Sequence, residues 1–240
     1  MAKHFQVDTG GSLTTSLVSY YKLEDVNDYF GVKNLTNFGT TIFSSGKVNN
    51  CAVFDGTSQH LALSAPLSNV QDNVSIFAWV YISGSSLKGC FFQNGKADGT
   101  NGYALGVGSG DLDTLGNHLI GVCWGVAWMD FGTNIGTGWH LVGMIRSSGT
   151  WTGYVDGTAG GTTFSSTPIT PTTNFDLGRE GIDNGGRYFG GKIDEFGFWT
   201  KALSSTERTD LYNSGSGQTM VDVTSPTVTT QNNLAMLGVS

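Results

Sequence analysis

The acidic residues come first, because a glycoside-cleaving site built on a strand needs two carboxylates facing one way, about 5–5.5 Å apart in a retaining enzyme. Strand alternation would supply them as Glu-x-Asp-x-(x)-Glu, and no such run occurs. Asp111-Leu112-Asp113 has the spacing but sits among glycines with no third acid. Asp194-Glu195 are neighbours that alternation sends to opposite faces. A Gly-x-Ser-x-Gly elbow for a serine nucleophile is missing. Gly106-Val107-Gly108-Ser109-Gly110 lacks the lysine of a phosphate loop and the helix of a dinucleotide site, so it reads as a hairpin loop. His4, His60, His118 and His140 have no zinc-ligand spacing. The 3 cysteines form no CxxC pair. Cys51 and Cys123 lie in apolar runs and read as small buried hydrophobes, with one disulfide plus a leftover thiol as the alternative. The reading is of no catalytic residues and no enzyme.

Two groups suit binding instead. Trp124 and Trp128, in Val122-Cys123-Trp124-Gly125-Val126-Ala127-Trp128-Met129, are four apart and on one strand would share a face. Exposed indoles stack on the apolar faces of sugars; the alternative is that both rings are core. Asp194 begins Asp194-Glu195-Phe196-Gly197-Phe198, so alternation puts it on the face of Phe196 and Phe198. If that is the core face, the carboxylate needs a partner, because an unpaired buried charge is very costly. Turn amides, Arg179 and Arg187 are the candidates.

The elements that must position these residues are short β-branched or aromatic runs bounded by Gly, Asn, Asp or Ser. The clearest are 17–23, 52–54, 74–82, 103–107, 118–128, 139–145, 151–155, 175–177 and 192–199. That spacing indicates an all-β sandwich or barrel. The run from Val74 to Ile82 is apolar at both parities, as in a central strand covered on both faces. Asp156-Gly157 is a hairpin-turn signal. One short helix is expected, opened by the capping box Ser204-Ser205-Thr206-Glu207, anchored by Leu203, Leu211 and Tyr212, and stopped at Gly215.

Composition narrows the partners. With 12 basic and 19 acidic residues the net charge is −7, which argues against nucleic acid or an anionic membrane as the main partner. No apolar run reaches the roughly 18 residues of a membrane-spanning helix, and the first residues hold no apolar leader segment. Residues 1–15 and 217–240 are rich in Thr, Ser, Val, Gln and Asn and poor in charge.

The order of motifs resembles the LamG-like (laminin G-like) jelly-roll family of the concanavalin A-like lectin/glucanase fold. The chain has Leu17-Val18-Ser19-Tyr20-Tyr21-Lys22-Leu23-Glu24-Asp25, then Gly46-Lys47-Val48 with Cys51-Ala52-Val53-Phe54-Asp55-Gly56, then Val74 to Val80. Trp139-His140-Leu141-Val142, Tyr154-Val155-Asp156-Gly157 and Leu177-Gly178-Arg179 follow. Phe189-Gly190-Gly191-Lys192-Ile193-Asp194-Glu195-Phe196 and Ala202-Leu203-Ser204 with Glu207 close the series. The resemblance implies an antiparallel two-sheet jelly-roll sandwich over residues 16–214, one sheet concave and one convex, with an arm at 1–15 and an extension at 215–240. It also implies that Asp194, with Glu24 and main-chain carbonyls, helps hold a structural Ca²⁺, which wants six to eight oxygens.

A fold does not fix a function. The expectation is a non-catalytic recognition and assembly module in a virion: a phage capsid decoration, head fibre or tail component. Its termini would bind copies of itself or other particle proteins, and its surface would bind host glycans. The alternative is a lectin-like carbohydrate-binding module of a cell-surface protein, with a carbohydrate-active enzyme behind both.

Overall fold

The computed structural model of the 240-residue chain describes residues 5–6, 13–96, 101–181, 187–218 and 221–222. The chain begins with β1 (Phe5–Gln6), β2 (Leu17–Tyr21), β3 (Thr36–Phe38), β4 (Ile42–Ser45), β5 (Asn50–Asp55) and β6 (His60–Leu63). Then come β7 (Val74–Ile82), β8 (Gly89–Lys96), β9 (Asn101–Gly108), β10 (His118–Cys123) and β11 (Ala127–Asn134). β12 (Gly138–Ser147), β13 (Thr150–Val155), β14 (Thr158–Phe164), β15 (Phe175–Leu177) and β16 (Gly190–Trp199) complete the sandwich. The helix α1 (Ser205–Tyr212) and β17 (Val221–Asp222) follow.

Two antiparallel sheets stack as a jelly-roll sandwich, as the sequence predicts. One runs β11-β10-β9-β8-β15-β6-β3; the other runs β14-β13-β12-β7-β16-β5-β4, with β2 also paired to β16. β7 lies between β12 and β16, which explains its unbroken apolar run. Ile76, Ala78 and Val80 enter the core between the sheets, while Phe77 and Trp79 join a second cluster on the outer face of the eight-stranded sheet. Phe54, Phe77, Trp79, Val142 and Phe196 are all buried. The β13–β14 turn has left-handed backbone at both Asp156 (φ 51°) and Gly157 (φ 80°), the requirement of a two-residue hairpin that Asp-Gly meets at low cost.

The helix starts where the sequence places it. Ser204 accepts from the Glu207 amide, and Glu207 reaches back to the Ser204 amide at 2.8 Å. Its stop comes earlier than Gly215: Asn213, at φ 45°, is the left-handed cap. Leu203 and Leu211 pack into the outer cluster, and Tyr212 stacks on Trp79 at 5.8 Å.

Three expectations need correction. The run 118–128 is not one strand: Gly125, at φ 71°, turns the chain between β10 and β11, so Trp124 sits in the turn and Trp128 on the second arm of a hairpin. Asp194 does not share a face with Phe196 and Phe198. Glu195 is left-handed (φ 49°) in a bulge that shifts the pairing between Asp194 and Gly197. Ile193, Phe196 and Phe198 therefore point into the inter-sheet core, while Asp194 lies opposite Trp79 of the outer cluster. All 3 cysteines, Cys51, Cys90 and Cys123, are free and buried, so the disulfide alternative falls.

The two arms meet in a small ladder, Phe5 opposite Asp222 and Gln6 opposite Val221. Leu234, Met236 and Leu237, the apolar residues of the C-terminal extension, lie outside the described residues, as does His4.

Candidate functional site

Strand pairing aligns Ala62, Asp176, Gln93, Ala104, Val122 and Trp128 in one row across the outer face of the seven-stranded sheet. The middle of the row is covered by two connections. Leu112, in the loop after β9, packs on Cys90, Ala104, Ile120, Val122 and Trp124 as a small apolar cluster. The segment after β15 crosses beside it: the Gly181 amide donates to Gln93 Oε1 at 3.0 Å, and Cys90 N donates to the Arg187 carbonyl at 2.9 Å.

This crossing carries charge. Arg179 Nε donates to Asp176 Oδ1 at 2.9 Å. Arg187 pairs with Glu180 through Nη1 and with Asp113 through Nη2, the latter at 2.6 Å. Asp176 and Glu180 are fully buried, and each keeps one oxygen (Oδ2 and Oε1) without a hydrogen-bond partner among the described residues. Burial outweighs the attraction of Arg187 and pushes the Glu180 carboxyl up to about 7. Burial likewise raises Asp176 against the pull of Arg179. The two arginines considered as partners for Asp194 are thus engaged here instead. Sequence reasoning missed this network because β15 and β8, which bring Asp176 over Gln93, are far apart in the chain. The Leu177-Gly178-Arg179 motif was its only local signal.

Aromatic rings stand at both rims. At the hairpin end Trp124 and Trp128 meet edge to face with centroids 5.6 Å apart. They line a pocket of about 280 Å³. Trp124 is 4% exposed and belongs to the small cluster, so for it the core alternative holds; Trp128 is 40% exposed. The Arg187 guanidinium lies 5.3 Å from the Trp128 ring centre and 5.8 Å from that of Trp124. At the other rim, Phe38 stacks flat on His60, 4.6 Å apart at 2°, beside a groove of about 460 Å³. Burial, helped by the charge of Arg179, pushes His60 down to about 4, so it is neutral near pH 7.

The family model of the concanavalin A-like lectin/glucanases superfamily matches residues 55–207. The chain belongs to that family. Among solved structures, this lectin-like chain is similar to domain 4 of AbnA, a GH43 extracellular arabinanase from Geobacillus stearothermophilus, in complex with arabinotriose. The identity is 26% over 81% of this chain and 97% of that one, with a TM-score of 0.62. It shares its fold with the botulinum neurotoxin serotype D binding domain (14% identity, TM-score 0.60) and the binding domain of Paraclostridial Mosquitocidal Protein 1 (14%, 0.61). It covers 53% of each of those chains, and they cover 85% of it. No curated protein sequence matches it.

In this lectin-like sandwich Asp194 is completely buried. Its Oδ2 accepts from the amides of Lys47 (2.8 Å) and Val48 (2.9 Å), so turn amides are its partners. Among the described residues Oδ1 has no partner at full hydrogen-bond geometry, although the Glu195 amide also favours the carboxylate. Burial pushes the carboxyl up to about 7, and the charge of Glu24 adds to the rise. Glu24 accepts from Asn49 Nδ2 at 2.8 Å. Among the described residues no three His, Cys, Asp or Glu cluster as a metal centre. We propose that Oδ1 and the nearby Glu24 form one corner of an oxygen-rich calcium site. Asp194 and Glu24 would hold the ion, which would relieve their repulsion and tie the start of the sandwich to β16.

Proposed function

We propose that the chain is a non-catalytic glycan-recognition module that binds a sugar chain on the exposed Trp128 ring. The observation that carries this reading is the half-exposed indole backed edge to face by Trp124, at a pocket on the hairpin end of the sheet. An indole face is a large apolar surface that loses little side-chain freedom when a sugar ring lies on it. The complex of the 26%-identical arabinanase domain with arabinotriose supports a sugar ligand.

The finer reading is a structural component of a virus particle: a capsid decoration, head fibre or tail piece. It rests on the charge-poor, Thr- and Val-rich stretches outside the sandwich, which suit strand addition to a neighbouring subunit. The rival is a cell-surface or secreted lectin-like module, favoured by the extracellular arabinanase as a relative. Sedimentation of the full chain against one ending at residue 216 separates the two: particle assembly requires that the shortened chain lose self-association or attachment.

Titration with arabinotriose, longer arabino-oligosaccharides and a neutral glycan panel, read by indole fluorescence, tests the function. Saturable shifts that vanish in Trp128→Ala are expected. A flat response to the whole panel refutes glycan recognition at this ring.

A further inference from the structure

The groove at the far rim of the same sheet has a different chemistry from the Trp128 pocket. It is lined by Thr36, Phe38, His60, Ser64, Asn174 and Arg179, among others, and encloses about 460 Å³. Phe38 is 44% exposed and is held flat by the His60 ring beneath it, a rigid apolar floor wide enough for one sugar ring. Hydroxyl and amide groups of Thr36, Ser64 and Asn174 surround the floor with hydrogen-bonding capacity.

Arg179 sets the charge. No carboxylate lines the groove, and His60 is neutral near pH 7, so the guanidinium is its one charged wall among the described residues. Asp176, which orients Arg179, lies behind it and is fully buried. That contact uses Nε and leaves the terminal nitrogens of Arg179 with no other partner among the described residues. A guanidinium presents five N–H donors in a planar fork that matches a carboxylate two to two. The chain as a whole carries −7, so nothing general about its surface draws anions; the attraction is local to this wall.

We infer that this groove is a second subsite, and that it takes a sugar bearing a carboxylate, a hexuronate unit of an acidic glycan. The ring lies on Phe38, its carboxylate meets the free edge of Arg179, and its hydroxyls reach Thr36, Ser64 and Asn174. The inference shares with the proposed function the idea of a sugar ligand, but rests on its own residues at the opposite rim.

Calorimetric titration of the full chain with trigalacturonate, and with galactotriose as the uncharged counterpart, tests it. Trigalacturonate should bind at least about tenfold more tightly than galactotriose, and the preference should shrink as salt is raised. Phe38→Ala should weaken trigalacturonate about tenfold, since the residue is half exposed and its loss spares the fold. Arg179→Lys keeps the charge against Asp176 but loses the fork, and should cost a similar factor. Equal binding of the neutral trisaccharide, or unchanged binding by Phe38→Ala, overturns the subsite. If arabinotriose shifts the Trp128 fluorescence while trigalacturonate does not bind, the acidic subsite falls and glycan recognition stands. If neither sugar binds, both fall.

Discussion

The two outer faces of the sandwich are built on opposite principles. The eight-stranded sheet presents Phe77, Trp79, Leu141, Ile145 and Trp199, and the chain covers them with Leu13, Leu203, Leu211 and Tyr212. That cover is apolar and makes the face a second core. The seven-stranded sheet has only a small apolar cluster under Leu112, and the rest of its cover is an ion-pair network of Asp176, Arg179, Glu180, Arg187 and Asp113. Burying charge stabilises little compared with burying apolar area, because desolvation offsets the attraction. The second arrangement makes sense as a device for shape: it fixes two arginines between two aromatic rims. One face stabilises the fold; the other gives up stability to fix two arginines beside the rings that the proposed function uses.

The largest effect should therefore come from the first face. Trp79→Ala removes a buried indole sandwiched between the sheet and Tyr212, and should cost about 3–5 kcal/mol in denaturant unfolding. A loss under about 1 kcal/mol would mean that the helix cover is loose and that the contrast between the faces is false.

The second effect belongs to the charged face and depends on pH. Burial pushes the Glu180 carboxyl up to about 7 in the folded chain, above the ordinary carboxyl range of the unfolded one. Between about pH 4 and 7 the folded state holds a proton that the unfolded state has lost. Its contribution to stability is complete below the unfolded pKa and is lost as pH rises through the folded value. Glu180 therefore favours a higher melting temperature at pH 5 than at pH 8, while His60, neutral in the folded chain, pulls the other way below its ordinary value of 6.5. Glu180→Gln should flatten that slope, by roughly 2–3 kcal/mol at most across the range. An unchanged slope would show that Glu180 stays ionised against Arg187 throughout.

What was legible in the sequence follows the same division. Local signals read well. The both-parity run of β7, the Asp156-Gly157 turn and the Ser204 capping box each need only a few adjacent residues, and each is where the sequence predicts. Backbone departures inside apolar runs do not announce themselves. Gly125 folds the Trp124–Trp128 stretch into a hairpin, and left-handed Glu195 flips Asp194 away from Phe196. Either one breaks an argument from alternation. The charged network is least legible, because its members come from β15, from two loops and from residues with unremarkable neighbours. Only the pairing of β15 with β8 makes them adjacent.

A third test asks whether Asp194 behaves like the apolar face it borders or like the charged one. Asp194→Ala leaves the amides of Lys47 and Val48 without an acceptor and should cost about 1–3 kcal/mol. With the calcium proposal, added Ca²⁺ should raise the melting temperature of the wild type, EDTA should lower it, and neither should move the variant. Melting indifferent to EDTA and to added Ca²⁺ would remove the ion and leave Asp194 as a carboxylate that caps a turn.

The smallest effect should come from Asp113, and it separates positioning from stability most cleanly. Its side chain is 52% exposed and its partner Arg187 keeps a second, buried partner in Glu180. An exposed ion pair contributes less than about 1 kcal/mol, so Asp113→Asn should barely shift the melting temperature. Arg187 nevertheless lies over the Trp128 ring, and losing one of its two anchors frees the guanidinium to move across the pocket. Indole emission and arabinotriose affinity should then change by a measurable factor below tenfold while stability holds. The same variant checks the absence of catalysis, because Asp111-Leu112-Asp113 is the one acid pair with strand-like spacing. Asp111 instead caps its own loop, accepting from the Asp113 amide at 2.8 Å and the Thr114 amide at 2.7 Å. Reducing-sugar release from laminarin should equal the buffer blank for wild type and variant alike. Release by the wild type that Asp113→Asn abolishes would turn this face from a binding surface into an active site.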